Sequence, residues 1–203
     1  MLVLASASPR RRELLAQAGI NFTVEPASIP EDLRPSENAV AYVTRVALEK
    51  AEFVYARLAE QGCDDLMVLG ADTTVVAPTG EILSKPESEA DAARMLRMLA
   101  GATHQVMTGV AVVSPFGTET AAEVTHVTMV TLSDEEIAAY VATGEPMDKA
   151  GAYGIQGYAG QWIPRIQGCY FNVMGLPLAL VSAMVEGLQR RREQVVLAAT
   201  SPK

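Results

Sequence analysis

The stretch LVLASASPRRRELLAQAG, residues 2–19, predicts a short strand that leads directly into a helix. Leu2 to Ala5 are apolar, Ser8 is a typical N-cap residue, and Pro9 suits the first helical turn. Arg10 to Arg12 then lie in that turn, where the partial positive charge of a helix disfavours cations by roughly 0.3–1 kcal/mol. Such a placement favours a site for a polyanion, with phosphate as the best geometric match for guanidinium groups.

The alternative interpretation of this triplet is a solvated basic helix face. The chain offers a comparison, because Arg190 to Arg192 form the same triplet near the end of the predicted last helix, where cations are favoured and need no ligand. The first triplet has no such explanation. Because helical residues are about 100° apart, Arg10 and Arg12 cannot point the same way, and we expect two of the three arginines to face the ligand.

Strand-like and helix-like segments alternate along the rest of the chain, which predicts an α/β or α+β architecture. The long helix is expected to begin at Ser36, and the last one to end at about Arg192. Pro164 marks the segment from Trp162 to Ile166 as an edge strand. The other predicted strands are Asn21–Glu25, Leu66–Ala71, Thr73–Ala77, Glu81–Leu83, His104–Ser114 and Ala121–Leu132. We expect one domain over residues 1–194 and a flexible tail at 195–203.

Composition limits the function classes. The chain has 203 residues, 49% of them hydrophobic, and 16 basic against 24 acidic residues give a net charge of −8. This charge argues against binding to nucleic acids or to anionic membranes. The two cysteines and two histidines form no zinc-binding pattern. Without a visible signal peptide or an apolar run of membrane length, the expected location is the cytoplasm.

Asp72 is the second candidate site residue, at the predicted end of the apolar strand Leu66–Ala71. By itself, a strand-end aspartate more often completes a turn than performs catalysis. However, ligands of open α/β sheets bind at the carboxyl ends of strands, where the arginine segment also lies. If the two strands are neighbours, Asp72 and a divalent cation such as Mg²⁺ would face bound phosphates. A nucleophilic aspartate is disfavoured, since Thr74 occupies the place of the second aspartate of that signature.

Glycines at every third position from Gly151 to Gly160 match neither a dinucleotide fingerprint nor a phosphate-binding loop of the Walker type. They are expected to allow a tight turn or a close approach of the backbone to a flat ligand. Gln156 within this segment offers the amide donor and acceptor that can recognise a base edge. The lysines Lys50, Lys85 and Lys149 are unremarkable one by one, although Lys85 follows the predicted hairpin and can return toward Asp72.

Together these segments resemble the Maf family of nucleotide pyrophosphatases. The resemblance runs in order from about Leu2 to Leu180 and rests on six motifs: SASPRRRELL (6–15), EKA (49–51), LGADT (69–73), KP (85–86), MTGV (107–110) and DKAGAYGIQG (148–157). It implies a two-lobed α/β fold of the Maf/ITPase-like type, with an elongated mixed sheet, flanking helices and a central cleft. It also implies hydrolysis of a nucleoside triphosphate to the monophosphate and pyrophosphate, and a homodimer.

Within that family, the branch that acts on dTTP and UTP carries arginine, Asp-Thr and Ile-Gln-Gly where a sister branch for 7-methyl-GTP carries tryptophan, Asp-Gln and Ser-Glu-Gly. This chain is similar to the first branch at all three places, through Arg10, Thr73 and Gln156. The resemblance makes Asp72 the proton acceptor and these three residues the determinants of base preference. The remaining polar positions of the cleft that match are Ser8, Arg11, Glu31, Lys50 and Lys85.

We expect Glu31 and Asp72 to position a divalent cation, which Mg²⁺, Mn²⁺ or Co²⁺ would all satisfy. The alternative function is a non-catalytic nucleotide-sensing module in cell division, and nothing in these residues explains the family's link to septum formation. A catalytic role is favoured because a simple binder gains nothing from carboxylates beside phosphate groups. The residues do not decide between dTTP, UTP and a modified pyrimidine nucleotide.

Overall fold

The centre of the fold is a mixed seven-stranded sheet in the computed structural model, which describes residues 1–63 and 65–200. The strand order is β2-β1-β3-β5-β6-β7, and β4 pairs with the far end of β3. The strands are β1 (Leu2–Leu4), β2 (Phe22–Val24), β3 (Met67–Val76), β4 (Ile82–Leu83), β5 (Thr103–Ser114), β6 (Gly117–Thr128) and β7 (Arg165–Gln167).

Helices flank this sheet: α1 (Pro9–Gln17), α2 (Ala39–Glu60), α3 (Glu89–Leu99), α4 (Asp134–Val141), α5 (Tyr170–Val173) and α6 (Leu178–Thr200). Three 3₁₀ helices lie at Glu145–Asp148, Ala150–Ala152 and Tyr158–Trp162. Among the described residues, none of these helices combines the length and the apolar character needed to span a membrane. The predicted mixed α/β class, elongated sheet and flanking helices are confirmed.

The short strand β1 and the long strand β3 are neighbours, as the sequence argument required. They pair in parallel, with Leu4 opposite Leu69, and the Ala5 amide donates to the Leu69 carbonyl at 2.8 Å. The chain then turns into α1 beside the middle of β3. The prediction that a strand ends at Asp72 is wrong, because β3 continues to Val76 and Asp72 lies opposite Gly109 of β5. The strand is not interrupted after Asp72, because Thr73 to Val76 continue the antiparallel pairing with β5.

Helix α2 lies unusually close to the sheet because two glycines face it. A Cβ at Gly70 of β3 would stand 2.0 Å from the Ala47 carbonyl oxygen, and one at Gly109 of β5 would stand 2.2 Å from that of Val43. A Cβ atom essentially never comes within 3.0 Å of a heavy atom outside its own residue and its chain neighbours. The two glycines therefore set the distance between the sheet and the helix that carries Lys50.

Buried apolar residues form separate clusters at the two ends of the long strands. Val75, Val106 and Val127 belong to one lobe, together with α3, α4 and the segment 150–162. Leu69 and Val112 belong to the other lobe, whose cluster also includes residues of α1 and α6. The same strands thus supply the core of both lobes, and the predicted central cleft opens between them.

Some predicted boundaries differ from the structure. Helix α2 does not begin at Ser36, which has a φ of 62°; instead the Asn38 side chain caps it by accepting from the Ala41 amide at 2.9 Å. The predicted strand Trp162–Ile166 is wrong at its start, because Trp162 ends a 3₁₀ helix and β7 begins only at Arg165. β7 is an edge strand, as Pro164 indicated.

The final helix α6 reaches Thr200 rather than ending at about Arg192. Residues 201–203 of the predicted tail lie outside the described residues. The division into a domain at 1–194 and a flexible tail stays a prediction.

Candidate active site

A cleft of about 720 Å³ lies between the two lobes, where the carboxyl end of β1 meets the middle of β3. The arginine segment and Asp72 line the same cleft, so the predicted convergence of these two segments is confirmed. All nine site residues that the sequence singled out contribute to its walls: Ser8, Arg10, Arg11, Glu31, Lys50, Asp72, Thr73, Lys85 and Gln156. Arg12 is exposed and is not among the lining residues, so two of the three arginines face the cleft.

Asp72 and Lys50 form a buried ion pair on the sheet wall of the cleft. The Lys50 Nζ donates to Asp72 Oδ1 at 2.8 Å and lies 2.8 Å from Glu31 Oε2. Asp72 is only 6% exposed, and its burial raises the pKa of the carboxyl above the usual range, although Lys50 and Arg11 partly offset this effect. A carboxylate with a raised pKa is a better proton acceptor at neutral pH than an ordinary surface aspartate.

Lys50 reaches Asp72 because it projects from the buried face of α2, on the same side as Ala47. Tyr42 lies two turns earlier on that face, and its hydroxyl donates to the Glu31 carbonyl at 2.9 Å. This bond ties the loop before α2 to the helix and places the Glu31 side chain near Lys50. The sequence analysis missed Tyr42, although its spacing of eight residues from Lys50 puts both on one helical face.

Arg11 is buried at the floor of the cleft and is held by other groups of this protein. Its Nε donates to the Gly175 carbonyl at 2.8 Å, and Nη1 donates to the Ala71 carbonyl at 2.8 Å and to Ser6 Oγ at 3.2 Å. Its Nη2 donates to Thr73 Oγ1 at 3.0 Å. Burial lowers the pKa of this guanidinium below its ordinary value. Arg11 therefore joins α1 to β3 and to the segment before α6, in addition to bringing positive charge to the cleft.

Arg10 and Lys149 share one carboxylate across the mouth of the cleft. Arg10 Nη1 donates to Asp148 Oδ2 at 3.0 Å, and Lys149 Nζ donates to Asp148 Oδ1 at 2.7 Å. Burial by itself raises the pKa of Asp148, but the bonds and charges of Lys149 and Arg10 outweigh this effect and lower the pKa below its ordinary value. The Arg10 and Asp148 side chains are 32% and 62% exposed, so this ion pair is a weak link that solvent screens. Asp148 was not a predicted site residue, since no local pattern connects it with Arg10.

The glycine segment is fitted to side chains of the protein itself. A Cβ at Gly151 would stand 2.8 Å from Val75, and one at Gly154 would stand 2.7 Å from Cε of Lys149. Gly151 also has a φ of 68°, which favours glycine. The glycines thus allow the segment to pack against β3 and Lys149, and Gln156 remains exposed at the cleft wall.

Two carboxylates, Asp72 and Glu31, are the oxygen donors available to a cation beside Lys50. Among residues 1–63 and 65–200, no group of three or more His, Cys, Asp or Glu side chains is arranged to hold a metal ion. A Mg²⁺ ion commonly uses one or two carboxylates and completes its shell with substrate phosphates and water. This pair of carboxylates fits such a shared site and does not fit a cation held by protein groups alone.

Family comparison agrees with this geometry. The sequence matches the family described as "Maf-like protein" over residues 1–188, a span that includes every wall of the cleft. The chain belongs to the Maf family. The resemblance seen in the sequence motifs is therefore confirmed.

Relatives in the Maf family that are named dTTP/UTP pyrophosphatase are similar over most of their length. The protein of Koribacter versatilis is 52% identical over 184 residues, covering 91% of this chain and 92% of the relative. That of Shigella dysenteriae is 49% identical over 193 residues, with 95% of each chain covered. That of Hahella chejuensis is 50% identical over 177 residues, with 87% of each chain covered.

Proposed function

We propose that this protein hydrolyses nucleoside triphosphates, with dTTP and UTP as preferred substrates, to the nucleoside monophosphate and pyrophosphate. The observation that carries the proposal is the buried Asp72 paired with Lys50 on one wall of a cleft that also presents Arg10 and Lys85. The names of the relatives support the same activity and the same pyrimidine substrates. Removal of unwanted nucleotides, a house-cleaning role, is the corresponding cellular function.

In the proposed reaction, water attacks the α-phosphorus and the bond from that phosphorus to the bridging oxygen breaks. Pyrophosphate leaves with the bridging oxygen, and Asp72 accepts the proton of the attacking water. The raised pKa of Asp72 suits this role, since its carboxylate takes up a proton more readily than that of an exposed aspartate.

Positive groups are proposed to bind the phosphates and to stabilise the charge that develops on the leaving oxygen. Arg11 is fixed by its bonds to the Ala71 and Gly175 carbonyls, so it needs little reorganisation when charge develops, and Lys50 adds a second positive charge beside Asp72. Lys85 and Ser8 lie at the rim of the same cleft and are proposed as further phosphate contacts.

A divalent cation such as Mg²⁺, Mn²⁺ or Co²⁺ is part of the proposal, held by Asp72 and Glu31 together with substrate oxygens. When bound, such an ion polarises the phosphate and neutralises part of its charge. Lys50 lies 2.8 Å from each carboxylate and offsets part of their negative charge in the free protein.

The preference for pyrimidines is proposed to depend on Arg10, Thr73 and Gln156. Gln156 offers a donor and an acceptor at the cleft wall. The Thr73 hydroxyl lies 2.9 Å from that of Thr108 and accepts from Arg11, so its influence on the base is proposed to act partly through the position of Arg11.

The test is a panel of nucleoside triphosphates incubated with and without Mg²⁺, with pyrophosphate and orthophosphate measured separately. We expect pyrophosphate and the monophosphate in equal amounts from dTTP and UTP. Release of orthophosphate alone would place the cleavage at the γ-phosphate and contradict the proposal. Tight nucleotide binding with no product over hours would instead favour a non-catalytic sensor.

The proposal includes the cytoplasm as the compartment and a homodimer as the assembly. Both cysteines, Cys63 and Cys169, are unpaired, which suits a reducing compartment. The dimer follows from the family resemblance, and light scattering on the purified protein measures it directly.

A further inference from the structure

Glu145 lies behind the glycine segment, outside the set of residues that the proposed reaction uses. We propose that Glu145 is a positioning residue for substrate selection, because it fixes both ends of the segment that presents Gln156. This inference rests on the proposed function. It concerns how the cleft distinguishes one base from another and not the hydrolysis itself.

The Glu145 carboxylate joins α4 to the far end of the glycine segment. Its Oε1 accepts from the Tyr140 hydroxyl at 3.0 Å, and its Oε2 accepts from the Tyr158 amide at 3.2 Å. Tyr140 is 1% exposed, and its ring packs against those of Tyr158 and Trp162 with centroids 5.7 Å and 5.1 Å away. The carboxylate is thus bonded on one side to a side chain anchored in the core.

The backbone of the same residue holds the near end of the segment. The Glu145 carbonyl accepts from Lys149 Nζ at 2.6 Å. Gln156 therefore lies between two points, Lys149 and Tyr158, that are both bonded to one residue. Since Lys149 also lines the cleft, Glu145 sets the positions of a cation and of an amide on the same wall.

Gly157 provides an independent observation of the same contact. A Cβ at this position would stand 1.8 Å from Glu145 Oε1 and 2.6 Å from its Cδ. The residue beside Gln156 is therefore a glycine that makes room for the Glu145 carboxylate. A side chain here would displace either the carboxylate or the backbone that carries Gln156.

The segment needs such an external support. Gly151, Gly154 and Gly157 give its backbone more conformational freedom than other residues would. Gln156 is exposed, so packing of its own side chain does not fix the backbone. Within the segment the Gly157 amide donates to the Gly154 carbonyl at 3.1 Å, and the bonds to Glu145 join this turn to helix α4.

Four variants test the proposal. Glu145→Ala removes both carboxylate bonds, and Gly157→Ala displaces the carboxylate while Glu145 is retained. Glu145→Gln preserves both contacts, since the amide oxygen can accept from the Tyr158 amide while the amide nitrogen donates to the Tyr140 hydroxyl. Glu135→Ala removes an exposed acid of the neighbouring helix and serves as the matched control.

The main readout is the ratio of kcat/KM for dTTP to that for dGTP, measured with kcat and KM separately. We expect Glu145→Ala and Gly157→Ala to lower this ratio by about tenfold, the equivalent of one well-placed contact, mainly through KM. Glu145→Gln and Glu135→Ala should keep the ratio of the unaltered protein. The double variant Glu145→Ala/Gly157→Ala should have the same dTTP/dGTP ratio as the less selective of the two single variants, because the two changes disrupt the same contact.

Hydrogen exchange of peptides covering 149–158 is the second readout, and we expect faster exchange there in Glu145→Ala and Gly157→Ala. Unchanged selectivity in both variants would overturn the proposal. So would an equal loss of kcat for all nucleotides, which indicates general destabilisation. If Glu145→Ala does not fold, Gly157→Ala decides the outcome. Failure of the unaltered protein to hydrolyse any nucleotide would refute the proposed function itself, which separates the two failures.

Discussion

Replacing Gly70 by alanine should disturb the active site from behind the sheet. The added Cβ would stand 2.0 Å from the Ala47 carbonyl oxygen, and the shortest tolerable separation is about 3.0 Å. Helix α2 must therefore retreat locally by about 1 Å, since the opposing atom belongs to the backbone and cannot rotate away. Lys50 lies on the next turn of that helix and moves with it.

The expected effects follow from this displacement. The 2.8 Å bond from Lys50 Nζ to Asp72 Oδ1 would lengthen beyond hydrogen-bond range. A misplacement of about 1 Å in a catalytic group commonly costs about 100-fold in rate, and we expect a fall of that order in kcat for dTTP. Overpacking should also lower the free energy of unfolding by about 1–3 kcal/mol.

Steady-state release of pyrophosphate and thermal unfolding measure the two effects. Gly187 of helix α6 provides the matched control, Gly187→Ala. A Cβ there would lie 3.5 Å from Glu119 Oε1, which is an ordinary van der Waals distance. Alanine in that helix should stabilise the protein by about 0.5–1 kcal/mol and leave kcat unchanged. A Gly70→Ala protein with unchanged kcat would refute the argument that glycine sets the position of Lys50.

Three further predictions concern Asp72, the base-selecting residues and His104. Asp72→Asn should lower kcat by about 1000-fold with little change in the melting temperature, and near-normal turnover would remove Asp72 from the role of proton acceptor. Arg10→Trp combined with Thr73→Gln should lower kcat/KM for dTTP by about tenfold, whereas unchanged dTTP hydrolysis would contradict the proposed base selection. His104 is 1% exposed, and burial lowers its pKa from 6.5 to about 4. As the pH falls from 6.5 toward 4, the unfolded chain therefore takes up a proton before the folded protein does. The free energy of unfolding should fall by up to about 1.4 kcal/mol per pH unit in this range. Denaturant titrations at several pH values measure this slope, which should be smaller in His104→Gln.

Local signals in the sequence predicted the parts of the fold that depend on neighbouring residues. The Ser8 side chain caps α1 as expected. Ser133 and Glu136 form a capping box at the start of α4, a pattern that depends only on residues three positions apart. The convergence of Arg11 and Asp72 was predicted from a parallel pairing of their two strands, and β1 does pair in parallel with β3. The two residues meet because the short strand β1 ends beside the middle of β3, where Asp72 lies.

Features that depend on distant partners were not predictable from one sequence. Nothing near Arg11 in the chain indicates that the carbonyl of Gly175 accepts from it at 2.8 Å. The pairing of Arg10 with Asp148 likewise joins residues that are far apart in the chain. The extent of β3 beyond Asp72 was missed because a polar residue inside a strand resembles a strand end until its partner on β5 is known.

Strands β3, β5 and β6 run without interruption from one hydrophobic cluster to the other, so the two lobes are not joined by a hinge. Any opening or closing of the cleft as a whole must bend a hydrogen-bonded sheet, which is far stiffer than a pair of linker peptides. When a ligand binds, we therefore expect movement of side chains and of the segments at the rim of the cleft. The continuous sheet keeps the width of the cleft nearly constant. Ligands are therefore selected by whether their size fits a width that is set when the chain folds.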